Sequence, residues 1–173
     1  MERRVTRRVR AGLGPFWEGG VAKRKQRIAI GSDERSALTD AVIEELRRRG
    51  HDLSLHGALM DDDPNWPVVA KAVAERVASK KAEQGILFCW TGTGVSMAAN
   101  KVPGARAALC ADAETARGAR KWNDANILCM SLRRTSPAVA KEMLEAWFAT
   151  GPEASEAANI ARVKRMDSAK GGA

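Results

Sequence analysis

Cysteine is scarce, histidine scarcer, and long apolar runs are missing; each shortage removes a class of protein. The three cysteines, Cys89, Cys110 and Cys129, form an odd set without CxxC spacing, which supports neither a disulfide framework nor a zinc site. Thiols in apolar runs suit a reducing compartment, so a cytoplasmic location is expected and no metal is. The two histidines, His51 and His56, flank one predicted strand and read as surface or strand-end residues. Apolar runs such as Ile86–Trp90 fall far short of the roughly 20 residues of a spanning helix. The first 30 residues lack the roughly 7–15-residue apolar stretch of a secretory leader. Neither a membrane protein nor a secreted one is expected.

What remains is the composition of an ordinary domain, 173 residues of which 45% are hydrophobic, enough to bury a core. The net charge of +8 suggests nucleic acid until it is divided along the chain. Residues 1–27 hold nine Lys/Arg against two Asp/Glu, leaving 20 basic and 19 acidic residues for the rest. The basic cluster, Arg3 to Arg10 and Lys23 to Lys25, flanks a Gly/Pro-rich stretch, Gly12–Gly20, without helical or strand period. Residues 1–26 are therefore expected to be a disordered basic extension, and a nucleic-acid partner is not expected. The domain proper spans 27–151, and 152–173 form a C-terminal helix and tail.

From Arg27 onward, short apolar runs alternate with longer amphipathic ones, the pattern of repeated βαβ units. The segments Arg27–Gly31, Leu53–His56, Gly85–Cys89, Ala105–Cys110 and Asn126–Ser131 read as strands, and most lack polar alternation, as buried parallel strands do. Helical spacing marks Ala37–Arg49, Pro67–Ser79, Val95–Lys101, Ala113–Lys121 and Pro137–Thr150. The expected architecture is α/β, a three-layer α/β/α sandwich. In such sheets ligands bind at the carboxyl ends of strands. That rule selects Ser32-Asp33-Glu34, Trp66, Cys89–Gly94, Asp112 and Leu132-Arg133-Arg134 as site candidates.

Gly85–Lys101 packs a strand, a glycine-rich turn and a helix start into one segment. Its glycines permit close backbone approach, and amides at a helix start form a cradle for an anion or a developing oxyanion. The third glycine of GxGxxG and the Lys-Ser/Thr of a phosphate-binding P-loop are both missing, which argues against a mononucleotide site. Cys89, at the last strand position before that helix start, is placed where a thiolate is favoured and can act as a base. Cys110 and Cys129 read as inert buried residues.

Four stretches, Arg27–Asp33, Gly85–Lys101, Val102–Cys110 and Trp122–Leu128, resemble the type B ribose-5-phosphate isomerases and the galactose-6-phosphate isomerase subunits. Thr91-Gly-Thr-Gly-Val-Ser-Met-Ala-Ala-Asn-Lys101 is similar to that family's signature loop in order and spacing. The resemblance implies a Rossmann-like five-stranded domain, a homodimer or tetramer with its site at a subunit interface, and aldose–ketose isomerisation of a sugar phosphate through an enediolate, without a cofactor. It also implies roles: Cys89 as base, the loop Thr91, Gly92, Thr93, Gly94 as oxyanion site, and Asp33 as a catalytic contact. Ser32, Glu34, Trp66, Trp90, Ser96, Asn100, Trp122 and Asn123 fall among the substrate contacts, with Arg133 and Arg162 holding a phosphate or a carboxylate.

Departures from the family pattern bear on the substrate. Glu34 and Trp122 stand where the family carries histidines for ring opening or phosphate contact, Trp90 replaces a small glycine, and only Arg162 remains of an Arg-His-x-x-Arg motif. Either Asp33 or Glu34 carries the ring-opening proton or the substrate enters in open-chain form, so weak or no activity on ribose 5-phosphate and better activity on another sugar phosphate or an acidic keto sugar are expected. A sugar-acid isomerase and a non-catalytic sugar-phosphate-binding subunit are the alternative readings.

Overall fold

The computed structural model describes residues 24–167. Its elements follow in the order β1 (Arg27–Ser32), α1 (Ala37–Arg48), β2 (Asp52–Gly57), α2 (Trp66–Ala78), β3 (Gln84–Cys89), α3 (Thr93–Ala99), β4 (Ala107–Leu109), α4 (Ala113–Asn123), β5 (Ile127–Ser131), α5 (Pro137–Ala149), a 3-10 turn (Ala154–Glu156) and α6 (Ala157–Arg165). All strand pairs are parallel, in the order β2-β1-β3-β5-β4. The three-layer sandwich expected from the sequence is the fold that forms.

Three helices, α1, α4 and α5, start where a side chain supplies a cap. Ser36 and Asp112 each accept from the backbone three residues on, while Thr39 and Thr115 return the bond, closing a capping box at α1 and α4. Ser136 caps α5 just ahead of Pro137, whose missing N–H costs nothing in a first turn. One sheet face packs Ile28, Phe88, Leu128 and Met130 under α1, α4 and α5, around Leu46, Leu144 and the fully buried Trp147. The other packs Ala29, Leu87 and Ile127 under α2 and α3. There α2 lies unusually close, because a Cβ on Gly31 would come within 2.5 Å of Val69 Cγ1 and 2.9 Å of Val73 Cγ2. That approach fixes the height at which Trp66 begins the helix.

Two boundaries near the site differ from expectation. The strand read as Ala105–Cys110 shrinks to Ala107–Leu109, because side chains claim the backbone beside it: Arg106 N–H donates to Asn126 Oδ1 at 2.7 Å and Ala107 N–H to Asn100 Oδ1 at 2.8 Å. The helix read from Val95 begins at Thr93, which brings Thr93 and Gly94 into its first turn. Ile160, Val163 and Met166 recur at helical spacing in and just after α6; Ile160 packs on its own subunit, whereas Val163 and Met166 stay 45% and 63% exposed. The expected extension lies mostly outside the described residues; of it, Lys25 pairs with Asp52 at 2.9 Å and Gln26 N–H donates to His51 Nδ1 at 3.2 Å. Among the described residues no helix is long and apolar enough to cross a membrane.

Candidate active site

The sheet register gathers the chemistry. Ser32 lies opposite Phe88, so Asp33 and Cys89 leave β1 and β3 as neighbours, and Cys89 is opposite Ser131 at the end of β5. The crevice between β1 and β3 is where the chain reverses its direction across the sheet, the place such folds use for ligands.

Cys89 is 6% exposed and packs on the α3 side with Val95 and Cys129. After it the chain must turn at once, and Gly92 makes that possible. Its φ is +77°, its N–H donates to the Cys89 carbonyl at 3.1 Å, and a Cβ there would stand 2.5 Å from Leu109 Cδ1 and 3.0 Å from the Met130 carbonyl carbon. The ladder of α3 begins with Ser96 N–H to Gly92 O, so the amides of Thr93, Gly94 and Val95 in the first turn have no helical partner. The Thr91 and Thr93 hydroxyls share a hydrogen bond of 2.6 Å beside them. Trp66 leans on this turn, since a Cβ at Gly94 would be 3.1 Å from its ring.

Asp33 is the electrostatic anomaly. Its Oδ1 is enclosed without a hydrogen-bond partner. Burial holds its carboxyl above the ordinary aspartate range, opposed by its own backbone amide and reinforced by the charge of Glu34. Ser32 is fully buried and spends its hydroxyl on the turn, donating to Glu34 O at 2.6 Å, while Glu34 itself is exposed. Burial pushes the Cys110 thiol up to about 11 and raises Cys129 too, which fits their reading as inert residues.

On the β4 side of the turn opens a cavity of about 820 Å³, walled by Thr91, Thr93, Leu109, Ser131, Arg133 and Arg134 among others. Cys89 is not part of that wall. Ser131 and Thr135, which also lines the cavity, escape a reading of the sequence: one looks like the end of a buried strand and the other like a linker before a helix cap.

Not every candidate gathers here. Asn100 commits its amide to the backbone of Ala107, donating and accepting at 2.8 Å, and so holds β4 in place. Ser96 is half-buried on the first turns of α3. Trp90 stands 58% exposed beside the crevice. Trp122 and Asn123 end α4, which runs from the carboxyl edge of the sheet to its amino edge, so within one chain they lie opposite Cys89. Arg162 is on α6, whose Lys164 pairs with Asp124 at 2.8 Å at that same amino edge.

A parallel α/β sheet with a thiol, a carboxylate with one unpaired oxygen, helix-start amides and arginines along one carboxyl edge has the groups that proton transfer beside a carbonyl and the binding of an anion require. The ribose/galactose isomerase family model matches residues 28–166, and the chain belongs to that family. It is 37% identical over 125 residues to a D-erythrulose-4-phosphate isomerase of Pectobacterium atrosepticum, spanning 70% of this chain and 81% of that protein. Among solved structures, type B ribose 5-phosphate isomerase of Trypanosoma cruzi is similar with a TM-score of 0.77 at 35% identity, covering 85% of this chain and 99% of that one. The Mycoplasma genitalium ribose-5-phosphate isomerase B with bound ribulose-5-phosphate gives 0.74 at 29% identity, over 82% of this chain and 95% of that one. The sugar isomerase implied by the sequence is thus the family the chain falls in.

Proposed function

We propose that this chain interconverts an aldose and a ketose phosphate, with Cys89 as the base. One observation carries the reading: β1, β3 and β5 end side by side, setting Asp33, Cys89 and the Ser131–Arg134 turn in one row. The Cys89 thiolate removes the proton from the hydroxyl-bearing carbon next to the carbonyl and returns it to the neighbouring carbon. Negative charge that develops on oxygen meets the free amides of Thr93 and Gly94 beside the Thr91 hydroxyl. Asp33, with its Oδ1 enclosed and unpaired, carries the hydroxyl proton from one oxygen to the other. Trp66 and Trp90 flank the sugar carbons, and Arg133 holds the distal phosphate.

Trp122, Asn123 and Arg162 join the site from a second copy of the chain, which makes the active unit a homodimer. Exposed apolar side chains at both edges support this: Trp66, Trp90, Met97 and Leu109 at one, Trp122, Val163 and Met166 at the other. Three free cysteines suit a cytoplasmic setting.

The substrate class follows from what can protonate a ring oxygen. His56 is turned toward α2, where burial and the Arg76 charge lower its pKa, and His51 stacks on Phe148 away from the crevice. No imidazole among the described residues serves ring opening, which favours an acyclic substrate. A tetrulose 4-phosphate has no free hydroxyl placed to close a five-membered ring, and the Pectobacterium relative is an isomerase of that kind. Proton exchange in heavy water over a panel of sugar phosphates and sugar acids tests the reading. A tetrulose 4-phosphate should exchange fastest, and Cys89→Ala should slow exchange at least about a hundredfold with the fold intact. Ribose 5-phosphate emerging as the best substrate would refute the acyclic preference, and parent-rate exchange by Cys89→Ala would refute the base.

A further inference from the structure

We propose that Arg134 is a second anion-binding residue of this site, positioned by Ser131, and that it pairs with Arg133 to select a phosphate dianion over a singly charged carboxylate. The inference deepens the isomerase reading and rests on it for the identity of the substrate, though not for the binding of the anion.

Two consecutive arginines line the same cavity, and among the described residues neither guanidinium has an ion-pair partner. Arg35, Arg49 and Arg106 pair with Asp40, Glu45 and Asp124, whereas Arg47 and Arg76, like these two, have no ion pair among the described residues; what distinguishes Arg133 and Arg134 is that both line one cavity. The acid at the neighbouring strand end, Asp112, is committed to capping α4, accepting from Thr115 N–H at 2.7 Å. Adjacent like charges in one concave site repel until an anion joins them. Among the described residues the remaining wall offers the hydroxyls of Thr91, Thr93, Ser131 and Thr135 and no carboxylate.

The turn that carries both arginines is tied to the loop after Cys89. Leu132 N–H donates to Cys89 O at 3.0 Å and Arg133 N–H to Trp90 O at 3.1 Å. The Ser131 hydroxyl, 7% exposed as a residue, donates to Trp90 O at 2.9 Å and accepts Arg134 N–H at 3.2 Å. One buried oxygen thus joins the loop that follows the base to the backbone of the second arginine. Two forked guanidiniums can share the three terminal oxygens of a phosphate, whereas a carboxylate offers two and one charge.

The test is calorimetric binding of inorganic phosphate and of acetate, together with steady-state kinetics on the best sugar phosphate. Arg134→Ala should weaken phosphate about tenfold and acetate less than about twofold, and raise KM about tenfold with kcat within about threefold. Arg134→Lys should recover part of the loss. Ser131→Ala should raise KM less, about threefold, and have no further effect in the Arg134→Ala background, which a merely structural role would not produce. Phosphate affinity and KM unchanged in Arg134→Ala, or no phosphate binding by the parent protein, overturns the proposal. Phosphate binding that needs Arg134 in a protein turning over no sugar of the panel would refute the isomerase reading and leave the anion site standing.

Discussion

Asp33 is held where folding alone would not keep it, with one carboxylate oxygen enclosed and unpaired. Because burial raises its pKa above that of the unfolded chain, its stabilising contribution is fully present below the ordinary aspartate range and is lost as pH rises through the folded value. At neutral pH the ionised group therefore costs stability that a neutral amide would not. Asp33→Asn is expected to melt at a higher temperature than the parent at pH 7, with the difference vanishing on acidification below about pH 3.8, where both states are protonated. The same variant should lose most activity, since an amide cannot move the proton. A variant less stable at pH 7, measured by thermal unfolding, would show that the carboxylate has a partner in the folded protein. Cys89 offers a different case: it is more deeply buried than Asp33, but its flank is apolar on one side and an amide turn on the other, so its removal should touch rate more than stability.

At the scale of elements, the turn between β3 and α3 decides the site, and Gly92 decides the turn. Replacing it with alanine meets both a left-handed φ and a crowded space, because Met130 contributes backbone that cannot rotate away. Gly92→Ala is expected to cost about 2 kcal/mol or more in denaturant unfolding. An unchanged midpoint would mean that Leu109 and the turn shift together. This turn was legible from sequence, as were the sheet and its layers. Strands such as Ile86–Cys89 read as unbroken apolar runs because both faces are covered, and a thiol at the last strand position has only one place to go. The ends of β4 were not legible. They are set by Asn100 and Asn126, whose side chains substitute for strand partners, and local periodicity carries no trace of such distant bonds. Ser131 was hidden for a related reason: a hydroxyl inside an apolar run looks like a small core residue until its partners, Trp90 O and Arg134 N, are seen.

At the scale of the molecule, family resemblance and strand-end topology select different residues, and the difference is physical. Topology admits Asp33, Cys89 and Arg133 but leaves out Trp122, Asn123 and Arg162, which occupy the amino edge. Both selections hold if the carboxyl edge of one subunit faces the amino edge of another across a two-fold axis, so that each dimer carries two equivalent shared sites. This arrangement makes a quantitative claim. Cys89→Ala and Arg162→Ala dimers should each be nearly inactive. After they are dissociated together and reassembled at equal concentrations, half the dimers are mixed, and each mixed dimer has one site with both residues intact and one with neither. Activity should return to about a quarter of the parent level, whereas a site built within a single chain would recover none. Assaying the mixture before and after subunit exchange separates the two, and the absence of recovery, with exchange verified by sedimentation of differently tagged chains, would show that Cys89 and Arg162 do not meet across the two subunits, whereas an Arg162→Ala dimer that keeps parent activity would place Arg162 outside the active site.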